Sequence, residues 1–295
     1  MRLSSKELSR GVLASCACAF ALAGALILSG CGASSDAAAG DQAQGAATEE
    51  AAQGQEAADK PLSAEEIESW LSGEDGFSGR PVTLVGQVFN VKREDGATML
   101  QVHTDLEGYT DNVVILCEGA NPKIGSQAYI EATGTVGDDF EYENAFGTQM
   151  SAVSIKADSV EELSYKDAVA PTTTSLKPDA VNEQKNYTLT VDTIEFSDKE
   201  TRIYLTMTNG GVGRFDLRTS TAAVVQDGVQ QNATNNVWAD YPTFSNSIVP
   251  GASMSGVLTF PPLKVGSFEL WLQGSSDNYE ADGGTLDFNF KFNIK

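Results

Sequence analysis

The sequence is short of cysteine, histidine and positive charge, and each shortage closes off a class of function. Among 295 residues there are four cysteines, Cys16, Cys18, Cys31 and Cys117. A single histidine, His103, excludes any site built on several imidazoles. Lys and Arg number 19 against 41 Asp and Glu, a net charge of -22. Such a chain repels nucleic-acid phosphates and anionic headgroups. Glycine-rich phosphate loops, paired-cysteine zinc spacings and nucleophile elbows are all missing. Long apolar runs are scarce too, with one at residues 11–28.

That run follows a segment with three basic residues, Arg2, Lys6 and Arg10. Charge, then an apolar core, then small residues is the layout of a signal peptide. The run ends in Leu28-Ser29-Gly30-Cys31, which resembles the lipobox of bacterial lipoproteins. The resemblance implies cleavage after residue 30 and lipid on Cys31, so the membrane is reached through that lipid. One acyl chain binds a bilayer only marginally; the resemblance implies two or three. An uncleaved anchor is the competing reading, because 18 apolar residues just reach spanning length. Loss of residues 1–30 leaves Cys117 without a partner for a disulfide, so stability has to come from hydrophobic cores.

Residues 31–60 are mostly Ala, Gly, Gln and acid. They cannot bury enough apolar surface to offset the entropy of ordering, and read as a flexible tether. Ser63 and Glu66 form a capping-box pair, with Leu62 and Ile67 as a hydrophobic staple. One short amphipathic helix follows, burying Ile67, Trp70 and Leu71 and ending at Gly73. Strands are expected over 81–91, 98–104, 112–117, 127–136 and 149–157. The first has Val82, Leu84 and Val88 on one face and Val85, Phe89 and Val91 on the other. A bend is expected at Gly86.

Gly79-Arg80-Pro81-Val82, Gly86-Gln87-Val88, and Ile124-Gly125 leading into Ile130-Glu131-Ala132-Thr133-Gly134-Thr135-Val136 resemble an OB-fold. The nearest likeness is to the anticodon-binding-like OB domains that recur in bacterial lipoproteins. The resemblance implies a five-stranded barrel over 61–165 whose strands 2 and 3 and flanking loops bind ligands. The nucleic-acid form of that function does not carry over. Residues 61–165 hold 19 acids and five bases, a net -14, which leaves little to track a phosphate backbone.

Residues 166–185, with Pro171 and Pro178 and little apolar content, read as a linker. Residues 186–295 read as an antiparallel β-sandwich. Leu189 and Val191 fall out of phase with Ile194 and Phe196, so a bulge is expected near Asp192-Thr193. Ile203, Leu205 and Met207 point one way and Arg202, Tyr204 and Thr206 the other. Asp227-Gly228 reads as a hairpin turn. Leu286, Phe288, Phe290, Phe292 and Ile294 alternate with polar residues, as in a half-buried strand. Ile194-Glu195-Phe196-Ser197-Asp198, 201–207, Val249-Pro250-Gly251 and 256–260 resemble the immunoglobulin-like domain-of-unknown-function family 4352 of Gram-positive lipoproteins. The fold class is thus all-β: an OB-like barrel with one short helix, then an immunoglobulin-like sandwich.

No residue set suits catalysis, a metal or a cofactor. Gln101, His103 and Tyr109 are the candidate ligand contacts on the barrel face. Asp138, Asp139, Glu141 and Glu143 crowd one loop with Phe140, Tyr142 and Phe146. Carboxylates beside aromatic rings suit a sugar or a cation, so Phe140 and Tyr142 join the candidates. Cys117 ends an apolar run and reads as buried filler. Residues 278–283 resemble the start of a calcium loop, but position twelve is Asn289 in place of Glu. These readings converge on a non-enzymatic binding module for an envelope protein or a carbohydrate. The alternatives are a structural spacer or assembly subunit, and an envelope hydrolase. Replacing Cys31 with Ala is expected to leave a precursor of unprocessed size on a gel of membrane fractions; maturation to the normal size would remove the lipobox.

Overall fold

Helix α1 (Ala64–Leu71) begins where the capping box places it. The Ser63 side chain accepts from the Glu66 amide and the Glu66 carboxylate accepts from the Ser63 amide. Glu66 also pairs with Arg80 at 2.6 Å. Arg80 first, and the Ser63 amide next, hold its carboxyl well down, at about 2. Trp70 is buried in the adjacent core. The computed structural model describes residues 60–94, 96–118, 123–143, 147–245 and 247–294. The signal segment, Cys31, the tether up to residue 59 and Phe146 lie outside the described residues.

Six strands follow α1: β1 (Pro81–Glu94), β2 (Ala97–His103), β3 (Val113–Cys117), β4 (Tyr129–Val136), β5 (Phe140–Glu143) and β6 (Gln149–Leu163). Hydrogen bonds close β1, β2, β3, β6 and β4 into a ring, with β3 and β6 parallel and the other pairs antiparallel. Val82, Leu84, Val88, Leu100, Val102, Ile115, Ile130, Ala132 and Ile155 fill its interior. Two glycines permit the close approach that closure requires. A Cβ on Gly86 would lie 2.3 Å from Val102 Cγ1, and one on Gly134 would lie 2.1 Å from the Lys156 carbonyl oxygen.

The irregularity of β1 is not at Gly86. It falls between Val88 and Asn90. One extra residue there shifts the phase of the strand. Phe89 stays outside, but Val91, expected beside it, packs on the ring's core. The acidic loop near 140 is also more ordered than its charge suggests: β5 pairs with β6 from Phe140 to Glu143.

Residues 166–185, expected to be a linker, carry structure. Helical turn α2 (Tyr165–Ala168) precedes β7 (Thr174–Leu176) and β8 (Ala180–Gln184). Both strands pair with β9 (Tyr187–Phe196). Their stability comes from that ladder, which composition does not report. β10 (Thr201–Asn209), β11 (Phe215–Leu217), β12 (Ala223–Gln226), β13 (Val229–Asn232), β14 (Ser253–Phe260), β15 (Phe268–Ser276), helical turn α3 (Tyr279–Asp282) and β16 (Thr285–Phe292) complete the chain. One sheet runs β14-β10-β9 with β7 and β8 outside β9. The other places β15 between β16 and the β11 and β12 pairings, with β13 beside β12.

The two sheets form a β-sandwich. Leu189, Val191, Ile203 and Leu205 of one meet Phe215, Leu270, Phe288 and Phe290 of the other. Phe215 stacks on Tyr187 at 4.2 Å and meets Phe288 edge-on at 6.0 Å. The phase slip in β9 is a bulge at Asp192: Tyr204 pairs with Thr193 and Leu205 with Val191. Asp227 and Gly228 both take positive φ, 52° and 79°, as a two-residue hairpin turn demands.

Arg202 departs from its expected outward position. It is fully buried. The segment after α2 and the loop near 240 cover that face of the sheet. Its guanidinium donates to Glu195 at 3.0 Å, Glu200 at 3.0 Å, the Ala170 carbonyl at 2.8 Å and the Thr172 hydroxyl at 2.7 Å. Lys166 adds a 2.7 Å bond to Glu195. Burial pushes the Glu195 carboxyl up, but bonds from Lys166, Tyr204 and Arg202 together hold it below its ordinary value. Removing one member of a buried ion set strands the others, at a cost of about 3–5 kcal/mol. Arg202→Ala is therefore expected to lower unfolding free energy by about that amount in a urea titration. A change within 1 kcal/mol, roughly the worth of an exposed pair, would mean the network contributes little.

Candidate functional site

The bulge in β1 sends Phe89 and Asn90 to the outer surface of the ring. There Phe89 stacks on His103 of β2, with centroids 4.2 Å apart and planes 22° apart. Tyr109 meets His103 edge-on at 5.6 Å. Asn90 donates to the side-chain oxygen of Gln101 at 2.7 Å. Gln101 and His103 therefore share one face, with Phe89 as a third aromatic that spacing alone did not single out. Val88 and Asn90 being separated by one unpaired residue is the signal, and it exists only once β1 has a partner.

Two aspartates shape the loop after β2. Asp105 accepts from the Gly108 amide at 2.9 Å, the Glu107 amide at 3.2 Å and the Thr110 hydroxyl at 3.0 Å. These bonds, that of Gly108 foremost, hold its carboxyl below the ordinary range. Asp111 accepts from the Thr104 amide at 2.8 Å and the Asp105 amide at 3.1 Å, and from the Thr104 hydroxyl. Tyr109 has φ of 52°, uncommon for an aromatic residue. Its amide donates to the Asp105 carbonyl at 2.9 Å, so the loop fixes the ring that it displays. Tyr109 and Phe89 are 47% and 36% exposed, which leaves both available to a partner.

His103 Nδ1 contacts the Asp111 carbonyl oxygen. A carbonyl only accepts, so Nδ1 carries the hydrogen, and in the neutral ring Nε2 is an acceptor. The Asp111 carboxylate is taken up by Thr104 and Asp105 and stands 3.8 Å from Nδ1. This arrangement orients a ring for contact.

The other aromatic candidates lie on β5. Tyr142 accepts from Asn112 Nδ2 at 2.8 Å, which links it to the same loop through the neighbour of Asp111. Phe140 sits opposite Ala152 in the β5–β6 ladder. A polar cavity of about 370 Å³ lies between the end of α1, the loop and β6, and is lined by Asp75, Asp111, Asn112 and Asp139. Among the described residues no cluster of three or more His, Cys, Asp or Glu is placed to hold a metal. The calcium-like stretch at 278–283 is a helical turn. Asp282 is buried and accepts from Tyr187 at 2.6 Å and Ser276 at 2.5 Å. Cys117 is buried in the ring's core, and burial pushes its thiol up.

No family model matches the chain. No curated protein matches it. Among solved structures, one described as a functionally unknown protein from Listeria monocytogenes EGD-e is similar over 45% of this chain and 94% of that one, with 10% identity and a TM-score of 0.35. Likeness at that level carries no argument about fold or function. Among the described residues, no helix is long and apolar enough to cross a membrane.

Asp111 holds both ends of the loop. Asp111→Ala is expected to free the Thr104 and Asp105 amides and raise their hydrogen-exchange rates, with a stability loss of about 1–3 kcal/mol. Unchanged exchange at those amides would show that the loop is held by other contacts.

Proposed function

We propose that this protein is a lipid-anchored, extracytoplasmic binding module without catalytic activity, tethered by Cys31 and engaging another envelope protein through the outer face of its ring. The carrying observation is the Phe89–His103–Tyr109 cluster, displayed on β1, β2 and a loop fixed by two aspartates. Aromatic side chains on a rigid support give contact area at small entropic cost, as interface centres require. Phe89 and His103 cover one face of each other, and Tyr109 meets His103 edge-on, so the three rings form an uneven surface. That suits interdigitation with protein side chains better than the flat stacking a pyranose ring needs.

In this reading the ring is an OB-type domain and the sandwich an immunoglobulin-like domain of the family-4352 kind. The strand order β1-β2-β3-β6-β4, with β3 parallel to β6, supports the first. Two packed antiparallel sheets support the second. The net -14 of residues 61–165 weighs against a nucleic-acid partner at this face.

A photocrosslinking residue at position 109, in the full-length protein in its native membrane, is expected to trap one envelope protein. The same residue at position 181, an exposed site on β8, serves as the control. The adduct is expected to vanish with His103→Ala and to be absent from position 181. Equal yields at both positions, or an adduct indifferent to His103→Ala, would refute the ring face as the site.

A further inference from the structure

The sandwich carries a second exposed feature, on the outer face of the sheet built from β12, β13, β15 and β16. Trp271 stands there 46% exposed, on the sheet's surface and outside the hydrophobic core. Its cross-strand neighbours are Ala223 of β12 and Asn289 of β16. Ala223 is small, so a trough opens beside the indole. The groove has a volume of about 510 Å³, within the usual ligand range of about 300–1,000 Å³. Gln230, Gln273, Asn289 and Thr221 line it with Trp271, and Asp287 contributes one carboxylate. Four strands at about 4.8 Å spacing make its floor about 14 Å across.

Side-chain bonds join residues along the walls. Gln273 donates at 2.8 Å to Asp287, its direct partner across the β15–β16 ladder. Lys291 pairs with Glu269 at 2.6 Å, which neutralises the charge beside Trp271. Lys291 first, and the Trp271 side chain in lesser part, hold the Glu269 carboxyl below its ordinary range. The indole, nearly half exposed, lines the groove between these two pairs.

We infer that this groove is a binding site for a neutral glycan, with Trp271 as the stacking platform and the Gln273, Asn289 and Gln230 amides as partners for sugar hydroxyls or N-acetyl groups. A pyranose has an apolar face of C–H groups and a rim of hydroxyls that both donate and accept. An indole flanked by side-chain amides meets both halves, since each amide offers a donor and an acceptor. A polyanionic polymer is disfavoured by the net charge of -22 and by Asp287 in the wall. Gln273 and Gln230 each spend one amide N–H on a neighbouring side chain, and an apolar peptide would leave their remaining donors and acceptors unmet. The site shares the non-catalytic binding role proposed for the ring face but none of its residues.

The test uses the full-length protein in detergent and titrates cellohexaose, maltohexaose and chitohexaose, with polygalacturonate as the anionic control. Tryptophan emission reports stacking, because Trp70 is buried and Trp238, 69% exposed, can be removed separately. At least one neutral hexasaccharide is expected to shift the emission of both the wild type and Trp238→Ala to the blue. Trp271→Ala is expected to weaken calorimetric binding at least tenfold with an unchanged melting curve. Gln273→Ala, which keeps the indole, is expected to weaken it several-fold. Tyr109→Ala is expected to leave it unchanged, so that failure of the ring-face site is read separately. Absence of binding by all three sugars at millimolar concentration would overturn the proposal. So would equal binding by Trp271→Ala, or binding of polygalacturonate alone.

Discussion

A buried guanidinium organises the junction between the ring and the sandwich. Arg202 has five N–H donors and is fully buried, so its donors turn to acceptors in the protein. They reach Glu195 on the neighbouring strand, Glu200 two residues back, the Ala170 carbonyl and the Thr172 hydroxyl. Tyr241 closes the set from the opposite side, with its ring 5.9 Å from the guanidinium carbon and its hydroxyl on Glu200 at 2.5 Å. Two carboxylates around one guanidinium leave an excess negative charge, and Lys166 on α2 balances it. Burying an ion costs several kcal/mol unless charge and hydrogen bonds are matched in this way. The segment after the ring is therefore held in place, because its carbonyl and hydroxyl complete a charge that lies inside the next fold.

From that centre the coupling extends outward. Tyr165 of α2 sits edge-on between Tyr129 of the ring and Tyr241 of the sandwich, at 5.8 Å and 6.5 Å. Lys199, in the turn between β9 and β10, pairs with Glu107 of the loop that displays Tyr109. That pair is exposed and contributes little on its own. It links the loop that carries Tyr109 to the turn just before Arg202. Named side-chain contacts thus run between the ring and the sandwich.

Local chemistry was readable from the sequence, and distant chemistry was not. The capping box at Ser63 and Glu66, the phase slip at Asp192 and the alternation ending in Phe292 are each written within about ten residues, and each appears in the structure. Arg202 shows the opposite case. Its acceptors at Ala170 and Thr172 lie 32 and 30 residues away, and on strand periodicity alone it belongs with Tyr204 on an open face. β7 and β8 were hidden for a related reason: edge strands with little apolar content gain their order from backbone bonds to β9. In the candidate site, His103 and Tyr109 were accessible from spacing. Phe89 was not, because the bulge that exposes it is defined by pairing with β2.

The two exposed aromatic features differ in a way that composition conceals. On the ring, Phe89 and His103 are stacked on each other, and Tyr109 approaches from the edge. Much of their apolar area is already satisfied, and what remains is a shaped surface beside an acidic loop. On the sandwich, Trp271 has a methyl group as its cross-strand neighbour and amides along the same face. Its ring is nearly half exposed and lines a groove. The envelope-protein partner proposed for the first and the neutral glycan proposed for the second follow from that difference. The same acid excess surrounds both and is repulsive toward polyanions. Ring geometry is what separates the two features, and β1 sets it through one extra residue and β15 through the small size of Ala223 across the ladder.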